Sequence, residues 1–140
     1  MKIKLLDNNA KIPVRHRKWD AGLSLISLED KILEPGERYR FKLWIALELE
    51  RGYVALTQWR SWNAYKYGID TIWNVIDCNY RWEISVLLIN NGDKFFKVKK
   101  WDNIAQLVIM PVWLWELEQT DKIDMDTERG EQWFGSSDSL

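Results

Sequence analysis

The run Ile84-Ser85-Val86-Leu87-Leu88-Ile89-Asn90 constrains this chain more than any other. Ile84, Val86 and Leu88 fall on one face of an extended segment, and Leu87 and Ile89 on the other. A strand that is apolar on both faces cannot lie at the surface, so the run predicts a central strand covered on both sides. Around it the chain offers shorter alternating segments. Residues 2–6 alternate Lys with aliphatics, Leu23 and Leu25 open another strand, and Tyr53 to Thr57, Phe95 to Val98 and Ile104 to Met110 supply more. Arg38 to Leu43 and Ile45 to Leu49 read as a pair of strands or one long bent strand, and Leu114 to Leu117 as a last one. Turn chemistry separates them: Asp7-Asn8-Asn9, Pro35-Gly36, Gly52 and Asn91-Gly92-Asp93. Only Arg60 to Gly68 suggests a helical turn. Many short strands with almost no helix predict an all-β barrel or jelly roll over residues 1–120. Residues 121–140 form a polar tail with no period of its own, mobile until something binds it.

Charge and reactive residues narrow the function. The 140 residues suit one domain, and 20 basic against 21 acidic side chains are interspersed, which predicts neither a nucleic-acid nor a membrane surface. His16 is the only histidine, so no His-based metal cluster or serine triad can be assembled. The single Cys78 excludes an internal disulfide and fits a reducing compartment. No apolar run is long enough to span a bilayer and the N-terminus lacks a signal-peptide pattern, so the expectation is a soluble cytoplasmic domain. One number is abnormal: 10 Trp stand against 7 Gly, where about 7% Gly is usual. Several of these Trp sit between polar residues where a turn glycine is expected, as in Lys18-Trp19-Asp20, Arg81-Trp82-Glu83 and Lys100-Trp101-Asp102.

The stretch from Asn74 to Glu83 carries the chemistry. A short apolar strand ends in Asp77, Cys78 and Asn79 make a turn, and Tyr80 begins the return, which predicts a β-hairpin with Asp77 and Tyr80 at its tip. A carboxylate beside an aromatic face suits a general base over a ring-bearing substrate, although turn hydrogen bonding alone would also account for an Asp there. Nothing near Cys78 in sequence would lower its pKa, so it reads as a tolerated small residue. Arg60 and Ser61 offer a guanidinium and a hydroxyl to phosphate oxygens. Gln106 offers an amide that both donates and accepts. Arg129 with Gly135-Ser136-Ser137 could cradle a terminal phosphate.

Five stretches, in order, resemble the motifs of the trimeric dUTPase family across nearly the whole chain. They are Ala21-Gly22-Leu23-Ser24-Leu25, Arg60-Ser61-Trp62, Val75 to Trp82, Trp101 to Leu107, and Arg129 to Ser137. The resemblance implies a β jelly-roll homotrimer whose three sites are each built from three subunits. It implies hydrolysis of dUTP to dUMP and pyrophosphate, with Mg²⁺ held by the triphosphate and water and by no direct protein ligand. By the same resemblance Asp77 activates the attacking water and meets the sugar 3′-hydroxyl, and Tyr80 packs under the deoxyribose and excludes UTP. Val75, Ile76 and Ser85 would read the uracil edge; Arg60, Ser61 and Trp62 the phosphates; Gln106 the water or α-phosphate. The tail, as a fifth motif, would close the site with Phe134 over the uracil and Arg129, Gly135, Ser136 and Ser137 around the γ-phosphate.

The sequence departs from the family pattern in three ways. Ser24 stands where the first motif usually has Asp, and Asp138 where the tail usually has Gly. Trp44, Trp62, Trp82, Trp101 and Trp133 stand where the pattern has Gly, and Trp19, Trp59 and Trp73 are often small residues there. So uniform a replacement suggests UGA codons written as Trp where the source cell inserts Gly. If the tryptophans are real, positive φ at five to eight such sites would cost roughly 1–2 kcal/mol each. Two other functions share this sequence pattern in part: a dCTP deaminase-like relative, and a non-catalytic protein of the same fold that senses nucleotide or binds a protein partner.

Overall fold

The computed structural model describes residues 1–132. In chain order its elements are β1 (Lys2–Leu5), β2 (Gly22–Ile26), β3 (Lys31–Leu33), β4 (Arg38–Glu48), β5 (Tyr53–Gln58), α1 (Ser61–Tyr67), β6 (Ile69–Thr71), β7 (Val75–Ile76), β8 (Ile84–Asn90), β9 (Phe96–Val98) and β10 (Asn103–Pro111). They make one sheet ordered β1-β4-β8-β6, a second ordered β2-β10-β5-β7, and a small β3-β9 ladder. The all-β jelly-roll expectation holds. No helix among the described residues is long and apolar enough to cross a membrane.

As its two-faced pattern requires, β8 is central, paired to β4 through Phe41↔Val86 and to β6 through Asp70↔Ile89. Its Ile84, Val86 and Leu88 are buried, while Leu87 and Ile89 are half-buried. Facing them from the second sheet are Leu25, Ala55, Ile76, Ile104 and Leu107. Each large aliphatic side chain so buried contributes about 1.5–3 kcal/mol, and these residues hold the two sheets together.

The segments flanking Trp44 form one long bent strand. Pairing between β4 and β8 jumps from Lys42↔Ser85 to Ile45↔Ile84, so Leu43 and Trp44 are extra residues. Two extra residues preserve the side-chain alternation, and Phe41, Leu43, Ile45 and Leu47 all stay in the core.

Two expectations, one hairpin and one strand, are corrected. The stretch around Asp77 is a turn but not a hairpin: β7 pairs with β5 (Ala55↔Ile76, Leu56↔Val75), whereas β8 belongs to the other sheet. The link from Asp77 to Glu83 is too long for a tight two-residue turn, and Ile76 and Ile84 enter the core from opposite layers. Leu114 to Leu117 is not a strand either. After Val112 N–H donates to Gly52 C=O at 2.8 Å, the chain leaves the sheet, and among the described residues no strand edge pairs with it.

Candidate active site

Where the chain crosses from β7 to β8 it leaves a cavity of about 200 Å³, lined by Trp73, Val75, Ile76, Asp77, Tyr80, Glu83, Ile84 and Ser85. Local chemistry explains the shape. Tyr80 N–H donates to Asp77 C=O at 3.0 Å, closing a turn with Cys78 and Asn79 at its centre. Arg81 Nη1 donates to the carbonyls of Cys78 (2.6 Å) and Tyr80 (3.0 Å) and pins the turn from outside. The Tyr80 hydroxyl donates to Glu83 C=O at 3.1 Å, fixing the ring. Ile76 and Ile84 are buried and anchor the two ends, while Asp77 is exposed. Pockets for drug-sized ligands run from about 300 to 1,000 Å³, so this one suits a single ring system and a small appendage. A long polyanion would have to lie outside it.

A second polar cluster lies on the β2-β10-β5 sheet. Gln106 pairs with Ser24 on one side and Gln58 on the other, so three polar residues run across three strands. Gln106 Nε2 donates to Trp59 C=O at 3.0 Å. A side chain at Gly22 would run into Gln106 Oε1, so glycine there makes room for the amide. Arg60 stands at the N-cap position of α1 without capping it through its side chain, whose Nη1 donates instead to Ser24 Oγ at 3.2 Å. That partner is neutral, so it orients the guanidinium without cancelling its charge, which stays available to an anion. A carboxylate at position 24 would offset that charge. Ser61 begins the helix beside it. Trp62 is exposed and lines a separate cleft with Asp102 and Asn103.

The two clusters do not meet within one chain. Asp77 follows Ile76, the partner of Ala55, and so lies toward Val54, whereas Gln106 pairs with Gln58. From Val54 to Gln58 along a strand is about 13 Å. The structure thus brings Val75, Ile76, Asp77, Tyr80 and Ser85 together, and separately Arg60, Ser61 and Gln106. Arg129 lies in the exposed tail, its Nε donating to Gln132 C=O at 3.3 Å. Trp133, Phe134, Gly135, Ser136, Ser137 and Asp138 lie outside the described residues. Sequence reasoning missed Trp73, Glu83 and Ile84 as pocket residues. Glu83 had one available signal: a carboxylate placed between the aromatic turn and a two-faced apolar strand.

Backbone strain at the tryptophans is narrower than expected. Among the described residues the only non-glycine positive φ angles are at Trp44 (φ 53°) and Trp101 (φ 78°). Trp101 is the third residue of a turn closed by Asp102 N–H to Lys99 C=O at 3.0 Å, the place where a type II turn wants glycine. Trp19 occupies the third position of the turn closed by Asp20 N–H to Arg17 C=O at 3.1 Å, without positive φ. Trp62 is helical and Trp82 is likewise unstrained, so among the described residues, which leave out Trp133, the strain falls on two of the expected sites.

A family profile described as dUTPase matches residues 8–138. The chain is 44% identical over 140 residues to a Nautilia profundicola protein named deoxyuridine 5′-triphosphate nucleotidohydrolase, covering 98% of this chain and 97% of that one. A rabbitpox virus protein of the same name is 40% identical over 130 residues, 93% of this chain and 87% of the viral one. The structure of Staphylococcus bacteriophage 80alpha dUTPase with dUPNHPP matches with a TM-score of 0.89 at 31% identity, over 97% of this chain and 96% of that one. A mutant dUTPase from phage phi11 of S. aureus, described with a coordinated structural Mg(II) ion, matches with a TM-score of 0.80 at 28% identity, over 88% of this chain and 97% of that one.

Proposed function

The chain belongs to the dUTPase family, and on that premise we propose how its residues carry out the reaction. It hydrolyses dUTP to dUMP and pyrophosphate. The observation that carries the residue assignment is the 200 Å³ cavity that places Asp77, Tyr80 and Ser85 together. Uracil enters it, with its polar edge toward the Val75 and Ile76 backbone and Ser85, and Tyr80 packs under the deoxyribose. Asp77 takes a proton from a water that attacks the α-phosphate in line, and pyrophosphate leaves. Gln106 orients that water or the α-phosphate, while Arg60 and Ser61, with Trp62 beside them, face the phosphate chain. Such transfer rests mainly on positioning and charge neutralisation, which donors of this kind supply.

The separation of Asp77 from Arg60 and Gln106 supports a site shared between subunits of a homotrimer. So does the segment after β10, where Trp113, Leu114, Trp115 and Leu117 present apolar side chains that this chain leaves exposed. In this reading residues 1–120 form the barrel. Residues 121–140 close over a neighbouring site, with Phe134 on the base and Arg129, Gly135, Ser136 and Ser137 at the γ-phosphate. Among the described residues no cluster of three or more His, Cys, Asp or Glu is placed to hold a metal. The phosphate-facing groups are hydrogen-bond donors, which fits a Mg²⁺ that arrives on the triphosphate. Once bound, the ion neutralises charge on the phosphate oxygens. The free, half-buried Cys78 suits a reducing cytoplasm.

Assaying dUTP, dCTP and UTP side by side tests the reaction. Release of dUMP and pyrophosphate from dUTP alone is expected. Ammonia from dCTP, or dUTP binding without turnover, would overturn this account.

We also propose glycine as the native residue at positions 44 and 101, with UGA codons as the source of the written Trp. Trp44→Gly and Trp101→Gly should each relieve about 1–2 kcal/mol of left-handed strain. Trp44→Gly also loses the Lys42 ammonium over its ring at 5.0 Å, and Trp101→Gly those of Lys100 at 4.9 Å and Lys11 at 5.2 Å, each worth about 0.5–1 kcal/mol at exposed sites. Together they should raise Tm by roughly 3 °C. Trp62→Gly, inside α1 and with Lys66 Nζ over its ring at 5.2 Å, should instead lower stability by about 1–1.5 kcal/mol. Equal thermal shifts at all three sites would remove the argument from φ, and UGG codons in the source DNA would end the codon proposal.

A further inference from the structure

Glu83 joins the nucleoside cavity to the bulge in β4. The bulge takes Trp44 out of the β4-β8 ladder, and the Trp44 backbone N–H donates instead to Glu83 Oε1 at 3.2 Å. The donor is main chain, so the bond is indifferent to whether position 44 carries Trp or Gly. The bulge is itself held from the other side, since Trp44 C=O accepts from Leu6 N–H at 2.8 Å. At the same residue the Glu83 carbonyl accepts the Tyr80 hydroxyl at 3.1 Å. One residue therefore fastens the tip of the Tyr80 ring through its backbone and fastens itself to β4 through its carboxylate. Residues 81–83 lie outside the sheet ladders, so the Tyr80 acceptor is held by Ile84 where β8 begins on one side, and on the other by the Arg81 contacts to the turn and this carboxylate bond to β4.

We propose that Glu83 is a positioning residue for Tyr80 and, through it, for the choice of deoxyribose over ribose. The inference rests on the reading above in which Tyr80 packs under the sugar. A pocket excludes a hydroxyl by leaving it no room and no partner, and an ångström of play in the wall relaxes that exclusion. Without the Glu83 carboxylate, residues 81–83 lose their one side-chain tie to β4, and the Tyr80 acceptor gains play although Ile84 stays in the ladder.

The test measures kcat/KM for dUTP and for UTP on the full chain, with Tm recorded for each variant. Glu83→Ala should lower the dUTP-over-UTP preference about three- to tenfold, the loss of one positioning hydrogen bond, with a smaller change in kcat on dUTP. Glu83→Gln keeps an acceptor oxygen and should retain the wild-type preference. Tyr80→Phe breaks the same link from its other end and should match Glu83→Ala, and the double variant should lose no more than either single one. Tyr80→Ala separates the two ideas. If it leaves the preference intact, the packing of Tyr80 under the sugar is wrong. If it abolishes the preference while Tyr80→Phe or Glu83→Ala keeps the wild-type ratio, the role of Glu83 is overturned. Should Glu83→Ala not fold, Glu83→Ser, whose side chain is too short to reach the Trp44 N–H, takes its place beside Glu83→Gln, since Tyr80→Phe reports only on the backbone carbonyl of residue 83.

Discussion

Asp77→Asn should lower kcat for dUTP hydrolysis by about 10²–10⁴-fold, the usual contribution of a positioned general base. The substitution keeps size and shape. The turn should survive, because the bond that closes it runs from Tyr80 N–H to the Asp77 backbone carbonyl and not to the carboxylate. An amide oxygen can still accept from a sugar hydroxyl, so KM should move by less than about tenfold. What the amide cannot do at neutral pH is take a proton from water. Steady-state pyrophosphate release, with dUTP binding measured separately, distinguishes these effects. A variant that binds dUTP yet turns over within tenfold of the parent would reduce Asp77 to a turn residue.

Asn90→Leu should be the most damaging single change to stability, at about 3–6 kcal/mol. Asn90 ends β8 fully buried, and its amide does three jobs. Nδ2 donates to Leu33 C=O at 3.0 Å and to Lys94 C=O at 2.8 Å, and Oδ1 accepts from Gly92 N–H at 3.0 Å. Leucine matches the volume but leaves two carbonyls and one amide without partners, and an unsatisfied buried group costs about 1–3 kcal/mol. The bond to the Leu33 carbonyl is buried, while those to Lys94 and Gly92 are half-buried and fall at the low end. The Asn90 backbone bonds to Gly36 and Glu37 would remain. A loss of that size is a large share of the roughly 5–15 kcal/mol that holds a domain folded. Urea unfolding at one fixed protein concentration would measure it, since assembly between subunits adds a concentration-dependent term. A shift below about 1 kcal/mol would mean that water replaces the lost partners.

Asp77 and Asn90 differ in how openly the sequence declares them. Asp77 and Tyr80 stand close in the chain on one turn, and local turn chemistry suffices to place them together. Asn90 reads only as the polar end of an apolar strand before a turn: its bonds to Gly92 and Lys94 are local, but the buried one, to Leu33 C=O, reaches a strand 57 residues away.

By itself the sequence determined the class of fold, the central place of Ile84 to Asn90, the short helix after Arg60 and the turn at Asp77. These follow from local rules: alternation sorts side chains between two faces, and Gly, Pro, Asn and Asp set the turns. Only the tertiary structure decided that the strand before Asp77 joins β5 while the strand after Glu83 joins β4 and β6. It alone decided that Trp44 and Trp101 are strained while Trp19, Trp62 and Trp82 are not, and that Glu83 meets an amide freed by a distant bulge. Strand partners are chosen by burial between layers far apart in the chain, and a residue's φ follows from the ladder or turn type imposed on it. Neither quantity is written in the residues next to it.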